Sequence, residues 1–235
     1  MTATIRIVRA GGGQSEFTVQ VGEFTTLLDA LEQIRSEQDE GLLYRHSCHH
    51  GSCGTCGVIA NGKRVLSCVT RVSELAQPVE LRPLTPYSVI GDLAIDPAPL
   101  YAEFPDDASI LRPSDAQPDA TPPAEIAGFT RFENCIECGL CESVCPVLCA
   151  GGTAPGRPFM GPAALAAYSR EIEKHPERAD KLLNEIDTPD GVWGCDRALQ
   201  CSLVCPVEVY PAKQIAVLQR KIKARKVPEQ EPRRR

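Results

Sequence analysis

The sequence predicts an α+β protein with a mixed N-terminal unit and a helical C-terminal unit. Residues 3–9 and 16–21 alternate apolar with polar side chains, which is the period of a half-buried strand. From Ile126 onward the apolar side chains recur at helical spacing instead. The 12 cysteines fall into separate groups in the two halves, so two domains are expected.

The N-terminal unit begins with a predicted hairpin and helix. Three glycines at positions 11–13 join the first two strands, and glycine is favoured in such turns because it tolerates positive φ. Thr25 and Thr26 precede four apolar residues at helical spacing, and a threonine at that place can cap a helix. These four residues are Leu27, Leu28, Leu31 and Ile34.

A second hairpin is predicted after a loop rich in cysteine, histidine and glycine. Residues 57–60 and 64–69 flank Asn61-Gly62, a pair that strongly favours a two-residue turn. Residues 78–82 can close the sheet. Two strands, a helix and further strands in this order predict a β-grasp fold within about a hundred residues.

The boundary between the two units is predicted at a proline-rich stretch. Residues 97–126 carry many of the chain's 20 prolines, a composition typical of a linker or a surface lid. We therefore expect domains at 1–96 and 127–226, with that linker between them and a disordered basic tail at 227–235. Within the second domain, helices are expected after Pro162, over 181–186 and over 211–226.

Two cysteine runs dominate the C-terminal unit. The first contains Cys135, Cys138, Cys141 and Cys145, followed by Pro146. Its C-x2-C-x2-C-x3-C-P spacing is that of ligands for a pair of iron–sulfur clusters. The second run contains Cys195, Cys201 and Cys205, followed by Pro206, and Ala198 stands where a further cysteine would complete it.

The incomplete run predicts two unequal clusters. In two-cluster ferredoxins the cysteine before the proline ligates the other cluster, so Cys135, Cys138, Cys141 and Cys205 are expected to hold a [4Fe–4S] cluster. Cys145, Cys195 and Cys201 remain, and three thiolates predict a [3Fe–4S] cluster of higher potential. Cys149 is interpreted as a small apolar residue beside that cluster. The alternative is that Cys149 supplies the missing thiolate, which would make this centre [4Fe–4S] as well.

A third cysteine group lies in the N-terminal loop. Cys48, Cys53, Cys56 and the more distant Cys68 have the C-x4-C-x2-C spacing of plant-type [2Fe–2S] ferredoxins. Glycines between these cysteines allow backbone amides to approach the sulfur atoms. His46, His49 and His50 surround Cys48, but four cysteines make histidine ligands superfluous, so we interpret them as loop residues that tune the cluster by hydrogen bonding.

Charge and composition narrow the function classes. A net charge of −6 and a pI near 5.3 give no reason to expect nucleic-acid binding. Cysteines at metal-ligand spacing predict a reducing, cytosolic compartment. No signal peptide is expected, and no stretch reaches the roughly 20 apolar residues that cross a bilayer, so membrane attachment is expected through a partner.

The cysteine pattern resembles that of the iron–sulfur subunits of succinate dehydrogenase and fumarate reductase. Residues 87–93, 159–165 and 191–193 are also similar to connecting segments of that family. The resemblance implies electron transfer between an FAD subunit and quinone at a membrane anchor, on the cytoplasmic face of the cell membrane. Cys48, Cys53, Cys56 and Cys68 would face the flavin, and Cys145, Cys195 and Cys201 would face the quinone.

The chain differs from many members of this family at one position, and other functions remain as alternatives. Many succinate dehydrogenases place a quinone-contacting tryptophan where this chain has Ala150. Trp193 is interpreted as a hydrophobic anchor beside the cluster, with quinone contact as the minor alternative. No catalytic side chain is predicted, because the dicarboxylate chemistry would belong to the flavin subunit. The alternatives are an iron–sulfur subunit of another flavin- or thiol-linked complex and a free ferredoxin carrier.

Overall fold

The computed structural model of the protein describes residues 1–105, 135–151 and 158–226. Most of the predicted linker, the first residues of the predicted helical domain and the predicted tail at 227–235 lie outside the described residues. The domain boundaries themselves therefore stay a prediction.

The N-terminal half is built on a five-stranded sheet with the order β2-β1-β5-β3-β4. Its strands are β1 (Thr2–Val8), β2 (Gln14–Gln20), β3 (Gly57–Ala60), β4 (Lys63–Leu66) and β5 (Val79–Arg82). The pair β1–β2 is antiparallel, with Ile5 opposite Phe17, whereas β1 and β5 run parallel, with Ile5 beside Val79. The alternating apolar residues of β1 thus point into one core.

One helix, α1 (Leu27–Glu37), lies against this sheet. The Thr26 hydroxyl accepts a hydrogen bond from the Asp29 N–H, and the Asp29 carboxylate accepts one from the Thr26 N–H. This reciprocal cap satisfies two amides at the start of the helix. Leu27, Leu31 and Ile34 are buried against the strands, as their spacing predicts.

A small second sheet and a short helix follow. Strands β6 (Val89–Gly91) and β7 (Ala94–Ile95) pair antiparallel, and α2 (Ala98–Tyr101) comes directly after them. Leu100 is 2% exposed and packs beside Cys56 and Cys68. The first residues of the proline-rich stretch are therefore packed against the domain.

The C-terminal half is helical. Its helices are α3 (Leu140–Ser143), α4 (Pro146–Ala150), α5 (Pro162–Lys174), α6 (Ala179–Ile186), α7 (Gln200–Leu203) and α8 (Pro211–Lys226). Helices α5, α6 and α8 enclose a second core that contains Leu165, Ile186 and Leu218. Cys145 is buried in the same core, and Cys195 packs against it. The short helices α3 and α7 each contain a cysteine of one run.

Candidate iron–sulfur centres

The four N-terminal cysteines come together at one edge of the sheet. Cys48 and Cys53 lie half-buried in the loop between α1 and β3, Cys56 is buried just before β3, and Cys68 is buried in the turn after β4. The Sγ atoms of Cys56 and Cys68 are 3.3 Å apart. Cys68 lies beyond the end of β4, which stops at Leu66 and is shorter than the sequence predicts.

Backbone amides surround the sulfur atoms of this loop. The N–H groups of Ser52 and Cys53 each donate to Cys48 Sγ at 3.3 Å, and the N–H of Cys48 donates to Cys53 Sγ at 3.4 Å. Hydrogen bonds of this kind stabilise negative charge on a thiolate. The loop therefore provides the amide environment that an iron–sulfur cluster requires.

The pKa values of Cys48 and Cys68 are shifted in opposite directions. A hydrogen bond from the His50 backbone, followed by one from the Ser52 side chain, lowers the pKa of Cys48 to about 5. Burial, followed by the hydrogen bond with Cys56, raises the pKa of Cys68 to about 12. Iron binds the thiolate form, so Cys48 is prepared for binding whereas Cys68 must lose a proton to the incoming iron.

The histidine rings of this loop contact each other, the backbone and a hydroxyl group, and their predicted influence on the cluster stays a prediction. Among the described residues, no hydrogen bond joins a histidine ring to a cysteine Sγ. The Nδ1 atom of His46 lies 3.1 Å from Nε2 of His49, and His50 contacts the Cys48 carbonyl oxygen and the Ser52 hydroxyl. Their side chains thus organise the loop through each other and the backbone.

The two C-terminal cysteine runs have the same backbone shape. In the first run Glu137 and Gly139 have φ values of 50° and 73°, and in the second Arg197 and Leu199 have values of 57° and 61°. Each pair of left-handed residues flanks one position, which is Cys138 in the first run and Ala198 in the second. Ala198 is therefore the structural equivalent of a cysteine.

The structure groups the cysteines across the two runs. Burial raises the pKa of Cys135 to about 11 and that of Cys138 to about 12, and the Cys205 thiolate adds to both shifts. Burial, followed by the charge of Cys138, raises the pKa of Cys141 well above the usual value. Cys205 from the second run thus lies with Cys135, Cys138 and Cys141 from the first.

The remaining three cysteines form another group. Burial raises the pKa of Cys201 to about 11, with further contributions from Cys195 and Cys145. All three line one pocket, together with Ala198, Phe159 and Ile215. The N–H of Arg197 donates to Cys195 Sγ at 3.4 Å. Three thiols and one methyl group therefore face the same space.

The Cys149 thiol contacts residues that do not line this pocket. Its thiol donates to the Ser143 carbonyl oxygen at 3.3 Å and lies 4.0 Å from the Thr85 hydroxyl. Among the described residues, Cys149 is absent from the wall of the pocket that contains Ala198. This arrangement favours three thiolates at that site over four.

Sequence reasoning missed the contacts that join the two halves. The Tyr87 hydroxyl donates to the Glu142 carboxylate at 3.0 Å, and the Arg64 guanidinium donates to the Ser143 carbonyl at 2.9 Å. Glu142 is only 1% exposed. A carboxylate directly after Cys141, inside a run of buried ligands, was the available signal that it has a buried partner.

The cysteine arrangement fits iron–sulfur clusters better than disulfides. All 12 cysteines lie in the described residues, and all are free thiols. Grouped thiols, several of them buried and raising one another's pKa, are unfavourable when charged unless a cation compensates them. Iron provides that compensation.

Two family models match this chain. Residues 8–102 match a 2Fe-2S iron-sulfur cluster binding domain, and residues 131–209 match a 4Fe-4S dicluster domain. The predicted [2Fe–2S] and [4Fe–4S] domains are therefore confirmed, as is the α+β fold class.

Curated relatives and a solved structure extend these matches. The fumarate reductase iron-sulfur subunit of Mycobacterium tuberculosis (strain CDC 1551 / Oshkosh) is 34% identical over 200 residues, covering 80% of this chain and 77% of that protein. The succinate dehydrogenase iron-sulfur subunit of Coxiella burnetii is 33% identical, covering 85% of both chains. A chain of the Mycobacterium smegmatis Sdh1 complex in the apo form superimposes with a TM-score of 0.79 at 26% identity, covering 97% of this chain and 99% of that chain.

The fold and the grouped thiols define an iron–sulfur electron-transfer protein. The [2Fe–2S] domain precedes the 4Fe-4S dicluster domain along the chain. The chain belongs to the family of iron–sulfur subunits of succinate dehydrogenase and fumarate reductase, and the predicted role as the electron-transfer subunit of such an oxidoreductase is confirmed. Within the parts of the chain that the structure describes, no helix has the length and apolar character to cross a membrane.

Proposed function

We propose that this subunit holds three clusters and relays electrons between an FAD-containing partner and a membrane quinone. The [2Fe–2S] cluster would be held by Cys48, Cys53, Cys56 and Cys68. The [4Fe–4S] cluster would be held by Cys135, Cys138, Cys141 and Cys205. A [3Fe–4S] cluster would be held by Cys145, Cys195 and Cys201.

The pocket that contains Ala198 is the observation that carries the proposal. Cys145, Cys195 and Cys201 line it, while the position equivalent to Cys138 presents a methyl group. A methyl group has no lone pair to ligate iron, so a cubane corner at this place lacks a protein ligand. This supports a three-iron cluster in the proposed set.

An iron–sulfur cluster supplies one-electron oxidation and reduction at a potential that its ligands, burial and hydrogen bonds determine. The protein contributes the surroundings. Amides of Ser52 and Cys53 stabilise charge on Cys48, whereas the apolar side chains of Phe159 and Ile215 line the third site. The surroundings of the proposed [2Fe–2S] cluster are thus more polar than those of the proposed [3Fe–4S] cluster.

The surface beside the third site supports attachment to an anchor subunit. Leu203 is 78% exposed and Leu199 is 57% exposed, and both flank Cys201. Exposed large apolar side chains at one place favour coverage by another protein. We propose that this end meets the anchor on the cytoplasmic face of the membrane, so that the subunit is peripheral.

Iron analysis combined with EPR tests the cluster content. The anaerobically purified chain should contain about nine irons and show the signal of an oxidised three-iron centre after air oxidation. Dithionite should then produce the signal of a reduced [2Fe–2S] cluster. About ten irons per chain without a three-iron signal would contradict a [3Fe–4S] cluster at the site that contains Ala198.

Purification of the tagged subunit from its native membranes tests the partners. A flavoprotein and an apolar membrane subunit should copurify, and succinate should reduce the clusters in that assembly. Isolation of the subunit alone, with clusters that only a soluble reductase reduces, would favour the free ferredoxin carrier instead.

A further inference from the structure

Three potential metal ligands converge on the surface beside the first cysteine group. They are Glu32, His46 and His49, and one ligand atom from each lies within 4.8 Å of the other two. None of the three belongs to the cysteine sets proposed above. Two imidazoles and a carboxylate form a ligand set that zinc accepts.

The distances between the ligand atoms suit a single ion. His46 Nδ1 and His49 Nε2 are 3.1 Å apart, and Glu32 Oε1 lies 4.0 Å and 3.6 Å from them, respectively. Ligands at about 2.0–2.2 Å from zinc lie roughly 3.0–3.6 Å from one another in a tetrahedral site. The two nitrogens already have this separation, and the flexible Glu32 side chain needs only a small movement.

The fold holds the ligands in this arrangement. Glu32 projects from the middle of α1, which the capped N-terminus and the sheet fix in place. The His46 ring stacks beside the Tyr44 ring at 5.3 Å between centroids. His49 has a φ of 64°, in the left-handed region, where histidine occurs more often than most other residues with a side chain. This backbone conformation occurs at the residue that completes the set.

The site is open to solvent and chemically distinct from the cysteine groups. Both histidines are exposed and Glu32 is half-buried, so an ion can enter and retain water as its remaining ligand. Nitrogen and oxygen ligands favour a borderline divalent ion such as Zn²⁺ over the cations that prefer oxygen alone. A bound ion would connect α1 directly to the loop that contains Cys48.

We propose that Glu32, His46 and His49 form a binding site for a divalent ion of the zinc type. Such an ion fixes the loop around Cys48 to helix α1. It also adds positive charge beside the first cysteine group, which favours the reduced form of a cluster held there.

Zinc binding by the full-length, cluster-loaded chain tests the site. After removal of loosely bound metal, calorimetric titration with ZnCl₂ should show one site per chain in addition to the iron already present. His49→Gln, His46→Gln and Glu32→Gln should each weaken binding at least about tenfold, because loss of even an outer partner of a ligand costs about that much. Unchanged iron content and visible absorption would establish that each variant is folded.

Two substitutions serve as matched controls. His175→Gln removes a half-buried histidine directly after α5, in the helical half, and Glu37→Gln removes a carboxylate on α1 five residues beyond Glu32. Both should bind zinc as the unmodified chain does. Equal weakening in the control variants, or undiminished binding after substitution of His46 and His49 together, would overturn the proposal.

X-ray absorption at the zinc edge identifies the ligands directly. Nitrogen and oxygen at about 2.0–2.1 Å should surround the ion, without sulfur at about 2.3 Å. A sulfur shell would mean that zinc occupies cysteine sites that lost iron, and would overturn the proposal. Since the readout is the zinc itself, its failure leaves the proposed electron relay unaffected.

Discussion

Gly54 lies directly against Cys138, so the loop of the first cysteine group touches the second group. A Cβ atom at Gly54 would lie 2.9 Å from the Cα atom of Cys138 and 3.0 Å from its Cβ atom, closer than side chains tolerate. The carbonyl oxygen of Ile136 is closer still. Only glycine allows this approach, which brings two cysteine groups together without an intervening side chain.

Gly54→Ala should therefore separate the two loops. Gly54 has a φ of 71°, and an alanine there costs about 1–2 kcal/mol of backbone strain in addition to about 1–3 kcal/mol of overpacking. We expect a lower apparent melting temperature and slower electron equilibration between the first two clusters, measured by freeze-quench EPR.

Gly62→Ala is the matched control for that substitution. Gly62 has a similar φ of 79°, but no described atom lies within 4 Å of the position of an added Cβ. It should show the backbone strain alone and leave electron equilibration unchanged. If both variants behaved identically, the close contact at Gly54 would have no functional role.

Tyr87→Phe should weaken the junction between the two halves. Its hydroxyl donates to the carboxylate of Glu142, and both residues are buried. Removal of a hydrogen bond to a buried charged group costs about 1–3 kcal/mol. The apparent melting temperature of the cluster-loaded chain should fall, whereas its iron content should stay the same.

A double-mutant cycle with Glu142→Gln measures the pair itself. If the hydroxyl and carboxylate interact as the 3.0 Å distance indicates, the two substitutions together should destabilise the chain by less than the sum of their separate effects. Strict additivity would mean that each residue acts through other neighbours.

The helices and strands that the sequence predicts well are those that local residue patterns determine. The alternation in residues 3–9 and the cap before Leu27 correspond to β1 and α1 within one or two residues. The strand predicted over 64–69 ends at Leu66 because the chain turns there to bring Cys68 to the loop. The helix at Ala98–Tyr101 was missed because burial of Leu100 depends on distant partners.

In the candidate site, too, local sequence patterns predict the grouping of residues better than contacts between distant residues can be predicted. Cysteine spacing indicated which thiols belong together, since ligands for one cluster must occur at short, fixed intervals. The contact between Tyr87 and Glu142 joins residues 55 positions apart. The position of Glu142 indicates that it has a buried partner, but the sequence spacing does not identify Tyr87 as that partner. The grouping of Glu32 with His46 and His49 likewise depends on how α1 packs.

Cluster removal should affect the two halves unequally. The buried residues described for the N-terminal sheet core include no cysteine, whereas the helical core contains Cys145 and has Cys195 packed against it. Metal binding couples to folding where the ligands form part of the core. After iron chelation, amides of α5 and α8 should lose hydrogen-exchange protection while those of β1 and β2 retain it. Equal loss in both halves would contradict this dependence.

Ala198→Cys should convert the third site into a four-iron centre. Ala198 lies between two left-handed residues, as Cys138 does, and lines the pocket with Cys145, Cys195 and Cys201, so a thiolate there can ligate a fourth iron. We expect about one more iron per chain, loss of the oxidised three-iron EPR signal and a lower potential, because an added thiolate makes the centre more negative. Ala198→Ser, of similar size but without sulfur, should keep the three-iron signal. An unchanged spectrum in Ala198→Cys would contradict the proposed ligand set.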